Sequence, residues 1–280
     1  MSKISGIVII YNPDAEVVNN INTYLNQLDY LYVVDNSESP NEHSKRISEM
    51  NGVRYISMKE NKGIGYALNY GLKKSIEGKV DYTLTMDQDS KATPGMVSKL
   101  LQAMECSNDI IITAALATNV FNTQVPGEGK YTEVIFAKTS GNLVNLGKYE
   151  KLGEFKNDYF IDYVDIEYGL RIKKNNLKIV QVNDANLIHR EADISKKKIL
   201  WFYFYPMNHA PVRLYYKVRN LLYLRDEYSK IFPDLIKHEI DYFIRVAAKI
   251  ILFENYKVLK LTMMMRGYRD YRKGIRGIMK

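Results

Sequence analysis

The sequence predicts an α/β fold: a mostly parallel sheet with helices on both faces, followed by a helical C-terminal appendage. Three observations predict it. Short β-rich runs alternate with helical patterns through the first hundred residues, and such alternation folds as strands joined by crossover helices. Polar residues stand at the ends of those strands, Tyr11 and Asn12, then Asp35, Asn36 and Ser37, then Asp87, Gln88 and Asp89, where open α/β sheets bind ligands. The last stretch, 242–280, reads as helical and basic throughout.

Residues 5–11 form the first strand, an apolar run from Ile7 to Ile10 closed by Asn12 and Pro13. Residues 16–28 place Val17, Ile21, Tyr24, Leu25 and Leu28 at helical spacing. Strands follow at 30–35 and 52–58, and a helix over 63–75 carries Ala67, Leu68, Tyr70, Gly71 and Leu72. A fourth strand covers 82–86. The helix over 94–104 opens on Pro94, where the missing N–H costs nothing. From residue 110 the pattern changes: an apolar strand at 110–117, a turn-rich loop at 122–129, short strands at 134–137 and 143–145, a helix within 157–175 and a strand at 178–182. An aromatic segment then precedes long helical patterns. The boundary falls near 193–198, which divides the chain into a domain at 1–195 and a region at 196–280.

Apolar content of 46% and charged content of 26% suit a globular chain of 280 residues. The single cysteine, Cys106, excludes an intrachain disulfide framework and a cysteine zinc cluster, and fits a reducing compartment. The apolar run near the N-terminus is too short for a signal core, and no stretch reaches the roughly 20 apolar residues of a spanning helix. Residues 245–280 hold ten Lys and Arg against Glu254 and Asp270, a net +8 that equals the charge of the whole chain. The basicity is a property of the tail, where lysines and arginines lie among apolar residues over 242–261. A basic amphipathic helix reads as an element for an anionic membrane surface; a solvated face or an interface for a second copy are the competing readings. The aromatic and lysine-rich segment 196–205 reads either as a bilayer-interface element or as packed core. Nucleic acid is a poor partner, since no nucleic-acid module is present.

Asp87 and Asp89 flank one residue at a strand end, where residues i and i+2 point the same way and both carboxylates can face one hard cation such as Mg²⁺ or Mn²⁺. An isolated pair of this kind is otherwise a solvated turn. Asn61, Lys62 and Gly63 open a helix after a strand, a place suited to anionic groups or to ordinary capping; the spacing matches neither a P-loop nor a GxGxxG fingerprint. Asp162, Asp165 and Glu167 gather three carboxylates within six residues. Asp165 at a helix start stays ionised beside the positive dipole end and can accept a proton from a hydroxyl. Glu167 and Arg171 are spaced for an i,i+4 pair. His189 ends a strand-like run and could complete a metal shell.

With these residues in place the chain resembles the GT-A glycosyltransferases of family 2, and within them the bacterial rhamnosyltransferase-like branch. The segments that carry the resemblance are IVIIYNP, VVDNS, NKGIGYALNYG, TMDQDS, TSGNLVNL, FIDYVDIEYGLR, LIH and RLYYKVRN, in that order from Ile7 to Asn220. The resemblance implies an inverting transfer from a nucleoside-diphosphate sugar, dTDP-L-rhamnose first and UDP-hexoses next, to a glycan or lipid-linked glycan at the cytoplasmic face of a membrane. It implies that Tyr11, Asn12 and Asp35 hold the nucleoside, with Asp35 near the base, and that Lys62 and Gly63 line the nucleotide pocket. Asp87 would sit near ribose or metal, Asp89 would be the main metal ligand, and His189 would join metal or diphosphate. Asp165 would be the catalytic base, and Arg213, Tyr216, Arg219 and Asn220 would lie near diphosphate or acceptor. The chain departs from the family pattern at Val164, where an acidic residue is usual, so Asp162 or Glu167 could share its role, and at Tyr168 and Gly169, where Trp and Cys are common. A sugar-1-phosphate nucleotidyltransferase would need a Gly-rich, basic N-terminal loop that Tyr11, Asn12 and Pro13 do not supply; a non-catalytic membrane scaffold would be expected to have lost the carboxylates.

Overall fold

The computed structural model describes residues 2–118, 129–189, 197–199, 202–204 and 210–280, with the backbone alone described at His189, 197–199 and 202–204. In chain order the elements are β1 (Ile4–Ile10), α1 (Glu16–Asn22), a 3₁₀ turn (Leu25–Gln27), β2 (Tyr30–Asp35), α2 (Glu42–Ser48), β3 (Val53–Ser57), α3 (Ile64–Glu77), β4 (Tyr82–Asp87), β5 (Ser90–Ala92), α4 (Met96–Met104), β6 (Ile110–Thr118) and β7 (Tyr131–Val134). There follow β8 (Asn142–Asn145), α5 (Leu146–Leu152), a 3₁₀ turn (Asn157–Tyr159), α6 (Val164–Lys174), β9 (Lys178–His189), β10 (Lys197–Ile199), β11 (Phe202–Phe204), α7 (Pro211–Tyr228), α8 (Pro233–Phe253) and α9 (Lys257–Arg272).

The main sheet runs β3-β2-β1-β4-β8-β6-β9-β5, with β7 also on β9. β1 pairs in parallel with β2 and β4, β2 with β3, and β6 with β9. β8 lies antiparallel between β4 and β6, and both β5 and β7 run antiparallel to β9. The parallel expectation therefore holds for β1 to β4 and for β6 with β9, and gives way at β5, β7 and β8. The reason is connection length: β5 follows β4 after a two-residue turn, and a parallel return needs a crossover of a dozen residues or more. β1 is buried along its whole length, as a strand covered on both faces must be, and reads as a continuous apolar run for that reason. Val8 and Ile10 join a core with Ile21, Tyr24, Leu31, Val33, Leu84, Met86 and Leu100. On the other face Ile7 meets α3 at Gly71, where an added Cβ would lie 2.8 Å from an Ile7 methyl.

The chain forms two compact units. The first comprises Met1–Asn157 and Val164–Arg190, the second Asp158–Tyr163 and Glu191–Lys280. The short segment Asp158–Tyr163 thus belongs with the C-terminal helices. Within the second unit, α7 and α9 pack so closely that a Cβ on Gly267 would stand 2.4 Å from the Tyr215 carbonyl. Among the described residues no helix is long and apolar enough to cross a membrane. The expected basic helix over 242–261 is interrupted. Tyr256 takes a left-handed backbone (φ +55°), and the buried Lys260 ammonium lies 2.6 Å from the buried Glu254 carboxylate, so the chain turns between α8 and α9. The expected loop at 122–129 lies outside the described residues except for Gly129, as do the side chains of 196–205, of which the backbone of β10 and β11 forms an antiparallel hairpin.

Candidate active site

The site is built on the carboxyl ends of β1, β2 and β4. Asp87 is the last residue of β4 and Asp89 stands two residues on, before β5. Gln88, between them, is tied to the end of β1: its Oε1 accepts from the Tyr11 N–H at 2.8 Å and its Nε2 donates to the Tyr11 carbonyl at 3.3 Å. The Gln88 carbonyl accepts from Asn20 Nδ2 at 2.7 Å. Ser140 grips the other side, with Oγ accepting from the Asp87 N–H at 3.0 Å and donating to Ser90 Oγ at 2.8 Å. A turn fixed at both ends holds its two carboxylates in one orientation. The pairing of β5 with β9 sets Ser90 opposite His189, so the backbone of the expected histidine ligand arrives beside the residue that follows Asp89.

Asp165 lies in the first turn of α6, its Oδ1 accepting from the Ile166 N–H at 2.9 Å. It lines a small cleft with Thr85, Ala137, Thr139, Asn142, Phe155 and Tyr168, and Thr85 precedes Asp87 by two residues on β4. The electrostatics join the two ends of this arrangement. Asp87 is pushed up to about 7, first by burial and then by repulsion from Asp89 and Asp165, while Lys138 pulls it down. Two carboxylates, one of them 78 positions away in the sequence, therefore act on Asp87.

Packing fixes α6. Tyr168 lies against Phe155 with ring centroids 4.0 Å apart. Gly169 lets the helix touch the backbone before the 138–141 loop: a Cβ there would stand 2.5 Å from the Ile135 carbonyl. Asn69 of α3 holds the approach to α6, donating to the Phe155 carbonyl and to Asn157 Oδ1 and accepting from the Phe155 N–H and the Tyr149 hydroxyl. Glu167 is fully buried and pairs with Arg171 through two bonds of 3.1 and 2.6 Å. Asp162 pairs with Arg213 at 2.7 Å and Lys217 at 3.3 Å. Asp162 and Glu167, either of which was expected to share the role of the acidic residue usual at position 164, are thus each bound to cations.

On the nucleotide side the expected residues divide. Tyr11 is exposed at 41%, with its hydroxyl 3.4 Å from Glu38. Asn12 adopts φ +46°, and its N–H donates to Ser37 Oγ. Asp35, expected near the base, is fully buried and accepts from the Ser37 N–H, Ser44 Oγ and the Tyr55 hydroxyl, the last at 2.5 Å. Its carboxylate shapes the loop after β2. Lys62 donates its N–H to Asn36 Oδ1, and its ammonium lies 2.8 Å from Glu60 and 5.0 Å from the Tyr66 ring centroid. Gly63 caps α3 at φ +84°. Arg219, expected beside the nucleotide, is fully buried in the second unit and gives its guanidinium donors to the carbonyls of Gly277, Asp158 and Tyr159. Gln88 was named in the sequence only as one of the strand-end polar residues, and Lys138 and Ser140 were not singled out. These two lie beside and within TSGNLVNL, and that adjacency is the signal that points to them.

Among the described residues no three His, Cys, Asp or Glu side chains are grouped to hold a metal ion by themselves; the turn offers carboxylate oxygens.

The profile described as Glycosyl transferase family 2 matches residues 5–158, more than half of the chain. The chain belongs to glycosyl transferase family 2. It is a glycosyltransferase of the family's rhamnosyltransferase-like branch, and is 29% identical over 245 residues to the dTDP-rhamnosyl transferase RfbF of Shigella flexneri, 80% of each chain being covered. Solved structures of similar fold include S. aureus TarS 1-349 in complex with UDP-GlcNAc, with a TM-score of 0.63 at 13% identity over 98% of this chain and 81% of that one. GalNAc-T7 with UDP, GalNAc and Mn²⁺ gives a TM-score of 0.59 at 13% identity over 98% of this chain, which spans 56% of that larger protein. At such identities the likeness concerns the fold, which is GT-A with C-terminal helices.

Proposed function

We propose that this family 2 enzyme transfers L-rhamnose from dTDP-L-rhamnose to a hydroxyl of a glycan, with inversion at the anomeric carbon, during synthesis of a bacterial cell-surface polysaccharide. The observation that carries the reading is the repulsion that Asp89 and Asp165 both exert on Asp87 at the carboxyl end of β4. Carboxylates crowd in this way where one group manages a cation or phosphate and another a proton. The choice of donor rests on the similarity to a dTDP-rhamnosyl transferase over 80% of both chains.

Asp165 is the base in this reading. It takes the proton from the acceptor hydroxyl, the hydroxyl oxygen bonds to the anomeric carbon, and the bond from that carbon to the diphosphate oxygen breaks with its electrons on the leaving nucleoside diphosphate. A single displacement inverts the centre and needs no covalent enzyme–sugar intermediate. Tyr11, Asn12, Lys62 and Gly63 border the nucleoside and diphosphate, with Asp35 holding the loop after β2. A divalent cation, Mg²⁺ or Mn²⁺, fits the turn. Asp87 and Asp89 are hard oxygen donors whose charges oppose one another, the backbone of His189 pairs with Ser90, and the imidazole and the donor diphosphate would complete the shell. When bound, the ion supplies positive charge to the diphosphate leaving group. The acceptor is a lipid-linked glycan, met where the basic C-terminal helices lie on the anionic inner face of the cell membrane.

The test is a thermal-shift screen of dTDP-, UDP- and GDP-sugars with and without Mn²⁺, paired with Asp165→Asn. The expected outcome is stabilisation by dTDP-L-rhamnose above the other donors, greater with the ion, and a variant that is stabilised equally but does not turn over. Normal turnover by Asp165→Asn would remove the base; a preference for a UDP-hexose would reassign the sugar.

A further inference from the structure

Six residues before α6 the backbone is unusual. Within Asp158–Tyr163, three residues other than glycine hold left-handed conformations: Phe160 at φ +64°, Asp162 at +61° and Tyr163 at +67°. Side chains with a Cβ avoid this region, and three such residues among six persist only where surroundings over-determine them. The surroundings here are side chains of α7 and the C-terminal end of the chain. Asn220, fully buried, donates its one amide nitrogen to three carbonyls in turn, Tyr159 at 2.8 Å, Ile161 at 2.9 Å and Asp162 at 3.1 Å. Arg219 reaches the carbonyls of Asp158 and Tyr159 with Nη2 at 3.2 and 3.4 Å, and its Nε binds Asn220 Oδ1 at 3.2 Å, orienting the amide. The Asp162 carboxylate is held by Arg213 and Lys217. Phe160 stacks on Tyr216 with centroids 4.9 Å apart and planes 19° apart. Gly277 donates its N–H to the Asp158 carbonyl at 2.7 Å, and Arg276 pairs with the Asp158 carboxylate at 2.6 Å. Every residue from Asp158 to Asp162 is bound by this set.

The chain leaves that grip at Tyr163 and reaches Asp165 two residues later. We propose that Asn220 and Arg219, with Arg213 and Lys217, are positioning residues for the transfer: they hold Asp158–Tyr163 in a strained course whose end fixes where the Asp165 carboxylate starts α6. The C-terminal helices thereby act on the chemistry through the chain itself. The inference rests on the reading of Asp165 as the base. It assigns the RLYYKVRN segment to the geometry of the base, where the resemblance placed it near diphosphate or acceptor. Neutral Asn is suited to the task, since an amide gives donors to carbonyls that an isosteric carboxylate would repel.

The experiment compares Asn220→Ala, Asn220→Asp and Arg213→Gln with wild type and with Asp165→Asn, measuring kcat, donor KM, donor affinity by calorimetry and the pH profile of kcat. Misplacing a reacting group by an ångström or so lowers rate by about 10- to 100-fold. The expected result is a fall of that size in kcat for Asn220→Ala and Asn220→Asp and a smaller fall for Arg213→Gln, with donor affinity unchanged and the acid limb of the kcat profile displaced. Arg213 is partly exposed, at 43% of its side chain, so Arg213→Gln carries the test if the buried variants do not fold. Wild-type kcat in folded variants, or loss of donor affinity in step with kcat, would overturn the proposal. If Asp165→Asn itself turns over normally, the base reading fails first; if it is inactive while the folded clamp variants match wild type, the clamp alone fails.

Discussion

At the scale of single residues the site is defined by charge held where charge is costly. Asp87 illustrates the sign of the effect. Its folded pKa is raised to about 7 by burial and by Asp89 and Asp165, against about 3.9 in an unfolded chain. Between those values the folded state binds more protons than the unfolded, so this group's contribution to stability is present at low pH and is lost as pH rises through 7. The melting temperature of the ligand-free protein should therefore fall between about pH 4 and pH 7, and Asp87→Asn should flatten that dependence; a wild-type slope in the variant would show that the term arises elsewhere. A divalent ion acts in the opposite sense, favouring ionised Asp87, so Mn²⁺ should raise the melting temperature more at pH 8 than at pH 6. Asp35 is the contrasting case, a buried carboxylate whose three acceptor bonds come from Ser37, Ser44 and Tyr55. Removing it strands those donors. Asp35→Ala should cost about 2–3 kcal/mol in urea denaturation, whereas a residue that only touched the nucleotide would leave the stability of the free protein unchanged.

Elements translate these residues into a site, and α6 does most of it. The helix can approach the Ile135 carbonyl only because residue 169 lacks a Cβ, and the atom it would meet is backbone and cannot move aside cheaply. Gly169→Ala should destabilise the protein by about 1–3 kcal/mol and lower kcat by shifting the start of α6; a variant of wild-type stability and rate would show that the approach has slack. Gly169 was visible in the sequence only as a departure from the family pattern, because a glycine within a helix does not say what it touches. The same limit explains what else the sequence left unread. Strand ends β1, β2 and β4 were legible, since continuous apolar runs closed by polar residues mark buried strands. Helices α2 and α5 were not. Each has seven residues of which two are buried, Ser44 and Ile47 in one and Leu146 and Tyr149 in the other, too few to set a period. Their signal lies in the caps, where Asn41 and Asn145 accept from the N–H groups of Ser44 and Lys148. β9 extends to His189, beyond its expected end at 182, because its second half pairs with β5 and, past a register shift, with β6, and long-range pairing leaves no local pattern. The convergence of Asp87 with Asp165 was legible through the order of motifs, while the buried roles of Asp35 and Arg219 were not, since a conspicuous polar residue looks alike whether it meets a ligand or a carbonyl.

For the whole molecule the remaining question is what the net +8 of residues 245–280 serves. The structure reduces the number of cations available. Lys260 is buried against Glu254, Arg276 is bound to Asp158, and Arg266 reaches the C-terminal Lys280 carbonyl. Arg245, Lys257, Arg269, Arg272 and Lys273 remain on the surface. Around the turn from α8 to α9 stand apolar side chains that a solvated helix pair would not expose together: Leu252 at 63%, Tyr256 at 78%, Val258 at 79% and Leu259 at 51%. An apolar tip among lysines and arginines suits the boundary between headgroups and acyl chains, with apolar burial adding to attraction worth about 1 kcal/mol per cation. The full chain should therefore sediment with vesicles containing phosphatidylserine or phosphatidylglycerol and much less with neutral phosphatidylcholine, and salt should weaken the binding because it screens the charges. Serine at Leu252, Tyr256 and Val258 together should abolish sedimentation while leaving turnover on a soluble acceptor unchanged, since these residues are far in sequence from every group assigned to the chemistry. Equal sedimentation of that variant would reject the tip as the membrane contact. A concentration-dependent dimer in gel filtration that the same substitutions dissolve, with no vesicle binding by wild type, would assign the tip to a second copy of the chain.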